Sequence, residues 1–237
     1  MTPLRITADL AGPLADYAPQ LDGLLIELAF HREGRPKEEL PRRPDDRKRN
    51  RPERCNPAPD PLDVPDIPVE RAVIGGWPVF RVSAPIHQAS APHVAHFGKR
   101  IGVERAGLLA ETERKVVVTS NTWTKSYRLP VNVLSPARVV WFAVGDAGGL
   151  RDLLADVTQL GRKLSHGWGR VARWRVESAA DDLSWFAPDE DGRPVLMRTL
   201  PLCPELPVNL DGWRADYDAC CPPYWHRDRF CEVVKPC

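Results

Sequence analysis

The sequence predicts an α+β fold in which strand, helix, strand, strand, helix and strand follow one another (βαββαβ), giving an antiparallel sheet with both helices on one face. Three observations carry this prediction. Leu4, Ile6, Ala8 and Leu10 alternate with Arg5, Thr7 and Asp9, the period of a strand with one buried side. "ARVVWFAVG", residues 137–145, is a continuous apolar strand, and Leu150, Leu153, Leu154, Val157 and Leu160 follow it at helical spacing. Val171, Trp174 and Val176 then supply a returning strand.

The other elements fall between these. "QLDGLLIELAFHREG" places Leu21, Leu24, Leu25 and Leu28 on one helical stripe, bounded by Pro19 and Gly34, which predicts a helix over about 20–32. Residues 33–68 are charged, rich in proline and almost devoid of large apolar side chains. Such a stretch cannot offset its ordering entropy by burial and reads as a flexible insertion whose interspersed acids keep it solvated. Val73, Val79, Phe80 and Val82 read as a strand broken by Gly75, Gly76 and Pro78. From Ala84 to Ala137 the pattern loosens into an inserted excursion, with a strand at "KVVVTS" and turns around "NTW" and "RLPVN". Asp146 is placed to cap the second helix and Gly161 to end it. The whole is a ferredoxin-like (RRM-like) domain over 1–177, with an insertion at 33–68, a second at 84–137, and a C-terminal arm at 178–237.

Composition bounds the function. The 237 residues carry a net charge of +1 and 25 prolines, enough chain for a substantial core and an excess of irregular connections. The neutral total conceals segregation. Between Arg114 and Gly145 there is no acid while Lys115, Lys125, Arg128 and Arg138 are present, and a second acid-free run follows Asp156 through Val176. Locally basic surface in a neutral protein points to a polyanion site. No apolar run is long enough to cross a membrane and the N-terminus lacks an apolar signal core, so a cytoplasmic protein is expected, with no membrane partner. Its six cysteines then read as free thiols or metal ligands before disulfides.

The most specific stretch is "QLGRKLSHGWGRVARWRVE", residues 159–177, which crowds Gly161, Gly167 and Gly169 among Arg162, Lys163, His166, Trp168 and Arg170. One reading is local: Gly161 ends the helix and the other two allow a tight turn into the strand. The second reading is a site. Glycines let backbone amides approach a phosphate, cations neutralise it, and an indole with no evident route into the core stacks on an unpaired base. The spacing fits neither a P-loop nor a dinucleotide-binding fingerprint, and the segment follows a helix rather than a strand.

A loop of the form G-[RK]-[KR]-x-S-x-G-[YW]-G-[RK]-V between the last helix and last strand resembles the signature of the RAMP superfamily of CRISPR-associated proteins. "PLRITADLAGPL" followed by "LDGLL" is further similar to the RAMP subunit of type IV CRISPR effector complexes, ribonucleoproteins of antiviral defence. The resemblance implies a non-catalytic subunit that holds the 5′ handle of the CRISPR RNA (crRNA), with RNA contacts at Arg162, Lys163, Ser165, His166, Gly167, Trp168, Gly169 and Arg170. It also makes 84–137 a thumb, in which Lys125 and Arg128 meet phosphates and Trp123 or Tyr127 wedges against a base; an ordinary exposed hairpin is the equal alternative there. Implied partners are filament-forming backbone RAMP subunits, a large or zinc-containing subunit, and target DNA only indirectly, since base pairing reads the target.

Two other functions stand beside this one. A repeat-cleaving endoribonuclease of the same superfamily would use His31 or His166 as general acid or base, although His31 at a helix end equally complements the helix dipole. A ferredoxin-like interaction module would dock an acidic partner on the basic loop. No cofactor is expected. Cys220, Cys221, His226, Cys231 and Cys237 could be drawn around zinc, but adjacent cysteines and the absence of a C-x-x-C pair argue against it, and Tyr224 and Trp225 read better as an arm's anchor.

Overall fold

A computed structural model describes residues 1–15, 17–34, 64–88, 91–99, 127–162, 164–206 and 212–236. The molecule is mixed and rich in antiparallel strands, with two α-helices among the described residues. Its central sheet is built on β1 (Thr2–Leu10). β1 lies between β8 (Arg138–Gly145) and β9 (Val171–Ser178), antiparallel to both, and β5 (Ile86–His87) continues the sheet beyond β8.

Leu4, Ile6 and Ala8 on β1 are at most 1% exposed. They join Val139, Trp141 and Ala143 of β8 and Val176 of β9 in one apolar cluster with the two helices. α1 (Leu21–Arg32) contributes Leu21, Leu25, Ala29 and Phe30, and α2 (Ala147–Leu154) contributes Leu150, Leu153 and Leu154. Both helices therefore cover the same sheet face. The Trp141 indole, fully buried, donates to the Pro19 carbonyl at 3.3 Å and stacks on Trp174, whose own Nε1 donates to Val157 O at 2.8 Å. Arg32, in the last turn of α1, bonds Asp152 and Asp156 and so ties the two helices together.

Several expectations change. α2 starts where expected, with the Asp146 carboxylate accepting from Gly148 N and Gly149 N, but it stops at Leu154 instead of running to Gly161. Val157 and Leu160 are still buried; they reach the core from chain that is already leaving the helix to form a bridge, Gln159 to Arg170. The stretch read as one broken strand is a hairpin of its own, β3 (Arg71–Ile74) and β4 (Trp77–Phe80), turning at Gly75-Gly76. The chain that pairs with β8 comes afterwards, through the Val82–Ala143 bridge and β5. The 33–68 insertion also ends earlier than its composition implies: Val64 and Ile67 pack on the core, and Asp146 N donates to Pro68 O at 3.0 Å. Residues 35–63 lie outside the described residues.

In the expected excursion, β6 (His93–Lys99) pairs with β7 (Tyr127–Leu134), and β7 pairs in turn with β2 (Leu14–Ala15). "RLPVN" is thus strand, not turn, because Val131 and Val133 bury against Ala15. "KVVVTS" and "NTW" lie outside the described residues.

Past Ser178 the segment read as an arm carries five strands among its described residues. β10 (Phe186–Pro188) and β11 (Pro194–Leu196) form a hairpin; β12 (Leu200–Pro201), β13 (Trp213–Ala219) and β14 (Phe230–Pro236) form a sheet ordered β12-β14-β13. Val79 of β4 packs with Leu196, Leu200 and Val234 in a second apolar cluster.

Arg198, 3% exposed, locks this region to the first core. Its guanidinium donates to Phe80 O (2.7 Å), Val82 O (3.0 Å), the Tyr224 hydroxyl (2.8 Å) and the fully buried Asp22 carboxylate of α1 (3.2 Å). The Tyr224 hydroxyl donates to the same carboxylate at 2.6 Å.

Candidate functional site

The glycine-rich segment leaves the core at Leu160, makes a 3₁₀ turn over Leu164–His166 and enters β9 at Val171. Gly161, Gly167 and Gly169 all take positive φ, 79°, 77° and 68°, so the sequence spends its glycines where an L side chain would be strained. Their surroundings separate two of them. A Cβ on Gly169 would stand 1.8 Å from Leu160 O, whereas one on Gly167 would meet nothing within 4 Å. Gly169 therefore permits two chains to cross closely, and Gly167 lies open at the surface.

Backbone bonds hold the loop. Gly169 N donates to Pro13 O at 2.6 Å, Ala11 N to Arg170 O at 2.8 Å, and Leu160 N to Gly169 O at 2.8 Å. Gly167 N donates to Leu164 O at 2.8 Å. The Gln159 amide clasps the loop from inside, donating to Leu164 O at 2.9 Å and to Trp168 O at 3.3 Å. The amides of Gly167 and Gly169 are thus spent within the protein, which corrects the expectation that they reach for a phosphate. What the loop offers outward is side chains: Arg162, Ser165, His166 and Arg170 are exposed. Lys163 lies outside the described residues.

Trp168 corrects a second expectation. It has a route inward, half-buried over the small apolar patch that Ala15, Val131 and Val133 make where β2 pairs with β7. From there a series of aromatic rings runs outward. Trp168 lies 5.9 Å from His166, His166 lies 5.4 Å from Phe97 of β6, and Phe97 meets Tyr127 of β7 edge-on at 5.9 Å. These are ring distances at which aromatic pairs attract. Through Phe97 the structure therefore joins Tyr127 to His166 and Trp168, from which it is distant in sequence.

It does not bring Arg128 to the same side. Tyr127 and Arg128 are consecutive in a strand and point to opposite faces, and Tyr127 shares its face with Leu129, Val131 and Val133. Trp123 and Lys125 lie outside the described residues. His31 is exposed in the last turn of α1, a different element from the loop.

Sequence reasoning missed Phe97 and Gln159. The alternation His93, Ala95, Phe97 against Val94, His96, Gly98 is the signal that would have placed Phe97 on a strand face. Gln159 gives none, since its role is to bond two carbonyls of a loop whose path is not readable locally.

At the C-terminal cysteines, Cys220 and Cys221 are buried and Cys231 Sγ lies 3.6 Å from Cys220 Sγ, as free thiols. A hydrogen bond with Cys221, together with burial, holds the Cys220 thiol far above its ordinary range. Among the described residues no three His, Cys, Asp or Glu side chains are grouped to hold a metal. Nor, among them, is any helix long and apolar enough to cross a membrane. No protein-family model and no curated protein matches the chain.

Proposed function

We propose that this chain is a non-catalytic RNA-binding subunit of a type IV CRISPR ribonucleoprotein and holds the 5′ handle of the crRNA. The observation that carries the reading is the aromatic series Trp168–His166–Phe97–Tyr127 beside the exposed cations of the loop. Stacking platforms edged by positive charge suit unpaired nucleotides, because each base has a π-face and each linkage an anion.

Two further features support it. The strand order β5-β8-β1-β9, with both helices packed on one face, is the order expected of a ferredoxin-like domain whose fourth strand follows the glycine loop. β6 and β7, which pair within the segment that the resemblance reads as a thumb, lend Phe97 and Tyr127 to the loop. On this reading Arg162, Lys163 and Arg170 neutralise phosphates, Ser165 bonds the backbone, and His166 and Trp168 present ring faces. Backbone RAMP subunits would continue the filament, a large or zinc-containing subunit would lie alongside, and target DNA would be met through the guide alone.

The test is co-expression with a CRISPR array and the neighbouring genes. A short RNA of uniform 5′ end should co-purify, and Lys163→Glu with Trp168→Ala should lose it. Metal-independent cutting of the repeat RNA by the purified chain, abolished by His166→Ala or His31→Ala, would replace this reading with the nuclease.

A further inference from the structure

The face of the central sheet turned away from α1 and α2 is the second candidate surface. Alternation assigns its side chains: with Leu4, Ile6 and Ala8 facing the helices, Arg5, Thr7 and Asp9 face the other way. Residues directly opposite one another in antiparallel strands share a face, so the pairing gives a grid. Nearest the glycine loop, Asp9 is flanked by Arg138 of β8 and Arg173 of β9. The next row is Val140, Thr7 and Arg175, and the next Phe142, Arg5 and Glu177.

Four guanidinium groups thus share a face with two carboxylates. Arg175 bends back to Asp9 at 2.8 Å and takes one of those acids. Arg5, Arg138 and Arg173 are exposed, and no ion pair among the described residues engages them. A half-buried Phe142 and the 38%-exposed Ile86 lie among them, and the middle of the face, Thr7 and Val140, is buried beneath the surrounding side chains. The row Arg138–Asp9–Arg173 is continuous with the loop, since Ala11 N bonds Arg170 O and Leu10 N bonds Ala137 O. Exposed Arg170 therefore stands at the mouth of the face.

From this placement we infer that the arginine-rimmed face of the central sheet is a second RNA surface, on which Arg138, Arg173 and Arg5 contact phosphates of the strand that passes the glycine loop. The inference rests on the RNA-binding reading above and extends it. The loop grips bases by stacking; the sheet face carries the backbone onward, and three guanidinium groups with no ion pair among the described residues make the occupant a polyanion. Fixed on neighbouring strands of a rigid sheet, they set the strand's direction without reading its sequence.

The experiment measures binding of an end-labelled oligouridylate to the full-length chain over a range of salt. Each single-strand phosphate contact contributes about 0.7 to the slope of log affinity against log salt. Arg5→Gln/Arg138→Gln/Arg173→Gln should lower that slope by about 2, while Trp168→Ala should weaken binding with the slope unchanged. A wild-type slope in the triple variant, with binding still sensitive to Trp168→Ala, would overturn the second surface and leave the loop reading intact. Insensitivity to both sets would overturn both. Photocrosslinking of the unsubstituted protein to 4-thiouridine RNA gives a readout independent of folding in the variants: adducts should fall in peptides of β1, β8 and β9 as well as in 161–170, and adducts confined to the loop would refute the sheet face.

Discussion

At Gly169 and Gly167 the same residue type performs two different tasks, and substitution separates them. Alanine at 169 would combine a left-handed φ of 68° with a Cβ 1.8 Å from Leu160 O, so backbone must move. Gly169→Ala should cost at least about 3 kcal/mol, read by urea denaturation, since it adds overpacking to conformational strain. Gly167→Ala has only the strain to bear, about 1 kcal/mol, because nothing lies within 4 Å of its Cβ; it should fold normally and report on ligand approach. Gln159 makes a third case. Gln159→Leu removes the two bonds to Leu164 O and Trp168 O, and should weaken RNA retention with little change in thermal midpoint, as expected of a residue that positions Trp168. Of this site, the cations, the indole and the glycines could be read from sequence because they are adjacent there. Phe97 and Tyr127 could not be joined to them, since their contact with the loop exists only once β6, β7 and β2 pair.

Elements were legible where their signals are local. Asp146 accepts from Gly148 N and Gly149 N at the start of α2, and Asp146→Ala should cost about 1 kcal/mol, largely restored by Asp146→Ser. The end of α2 was not legible: Val157 and Leu160 keep helical spacing, yet the bridge between Gln159 and Arg170 takes the chain out of the helix, and that partner lies beyond any local window. The hairpin β3–β4 is different: its signal is local, since Gly75-Gly76 between two apolar runs marks a two-residue turn and not an interruption. A pH effect belongs at this scale too, where α1 meets the segment before β14. Burial, opposed by Arg198 and reinforced by Asp22, holds the Tyr224 hydroxyl well above its ordinary value. Its contribution is complete below about pH 10, where the unfolded chain's tyrosine is still protonated, and is lost as pH rises, because unfolding then releases a proton. Stability should therefore decline above pH 10 with up to about 1.4 kcal/mol per unit from this group. Cys220, raised by its bond to Cys221 and by burial, adds to the decline, so the measurement is the difference in slope between wild type and Tyr224→Phe.

Over the whole molecule the question is whether the C-terminal quarter is an appendage or part of one folding unit, and the Arg198–Asp22 pair decides it. Asp22 belongs to α1 and Arg198 to the connection between β11 and β12, and both are almost wholly buried. Taking two charges out of water is costly unless they remain together with their remaining hydrogen bonds made, and here Arg198 donates to Phe80 O at the end of β4 and to Val82 O just beyond it, as well as to Asp22 and Tyr224. Separating the C-terminal segment from the central sheet would break the ion pair and all of these hydrogen bonds at once. The two apolar clusters should accordingly unfold together, in a single transition seen alike by tryptophan fluorescence and far-UV circular dichroism. Arg198→Met leaves the Asp22 carboxylate buried without its cation and should cost about 3–5 kcal/mol, whereas adding Asp22→Leu should recover a large part of the loss, because the penalty belongs to the unpaired charge. Two transitions in the wild type, or a double variant no better than Arg198→Met, would mean that the pair does not join the two halves.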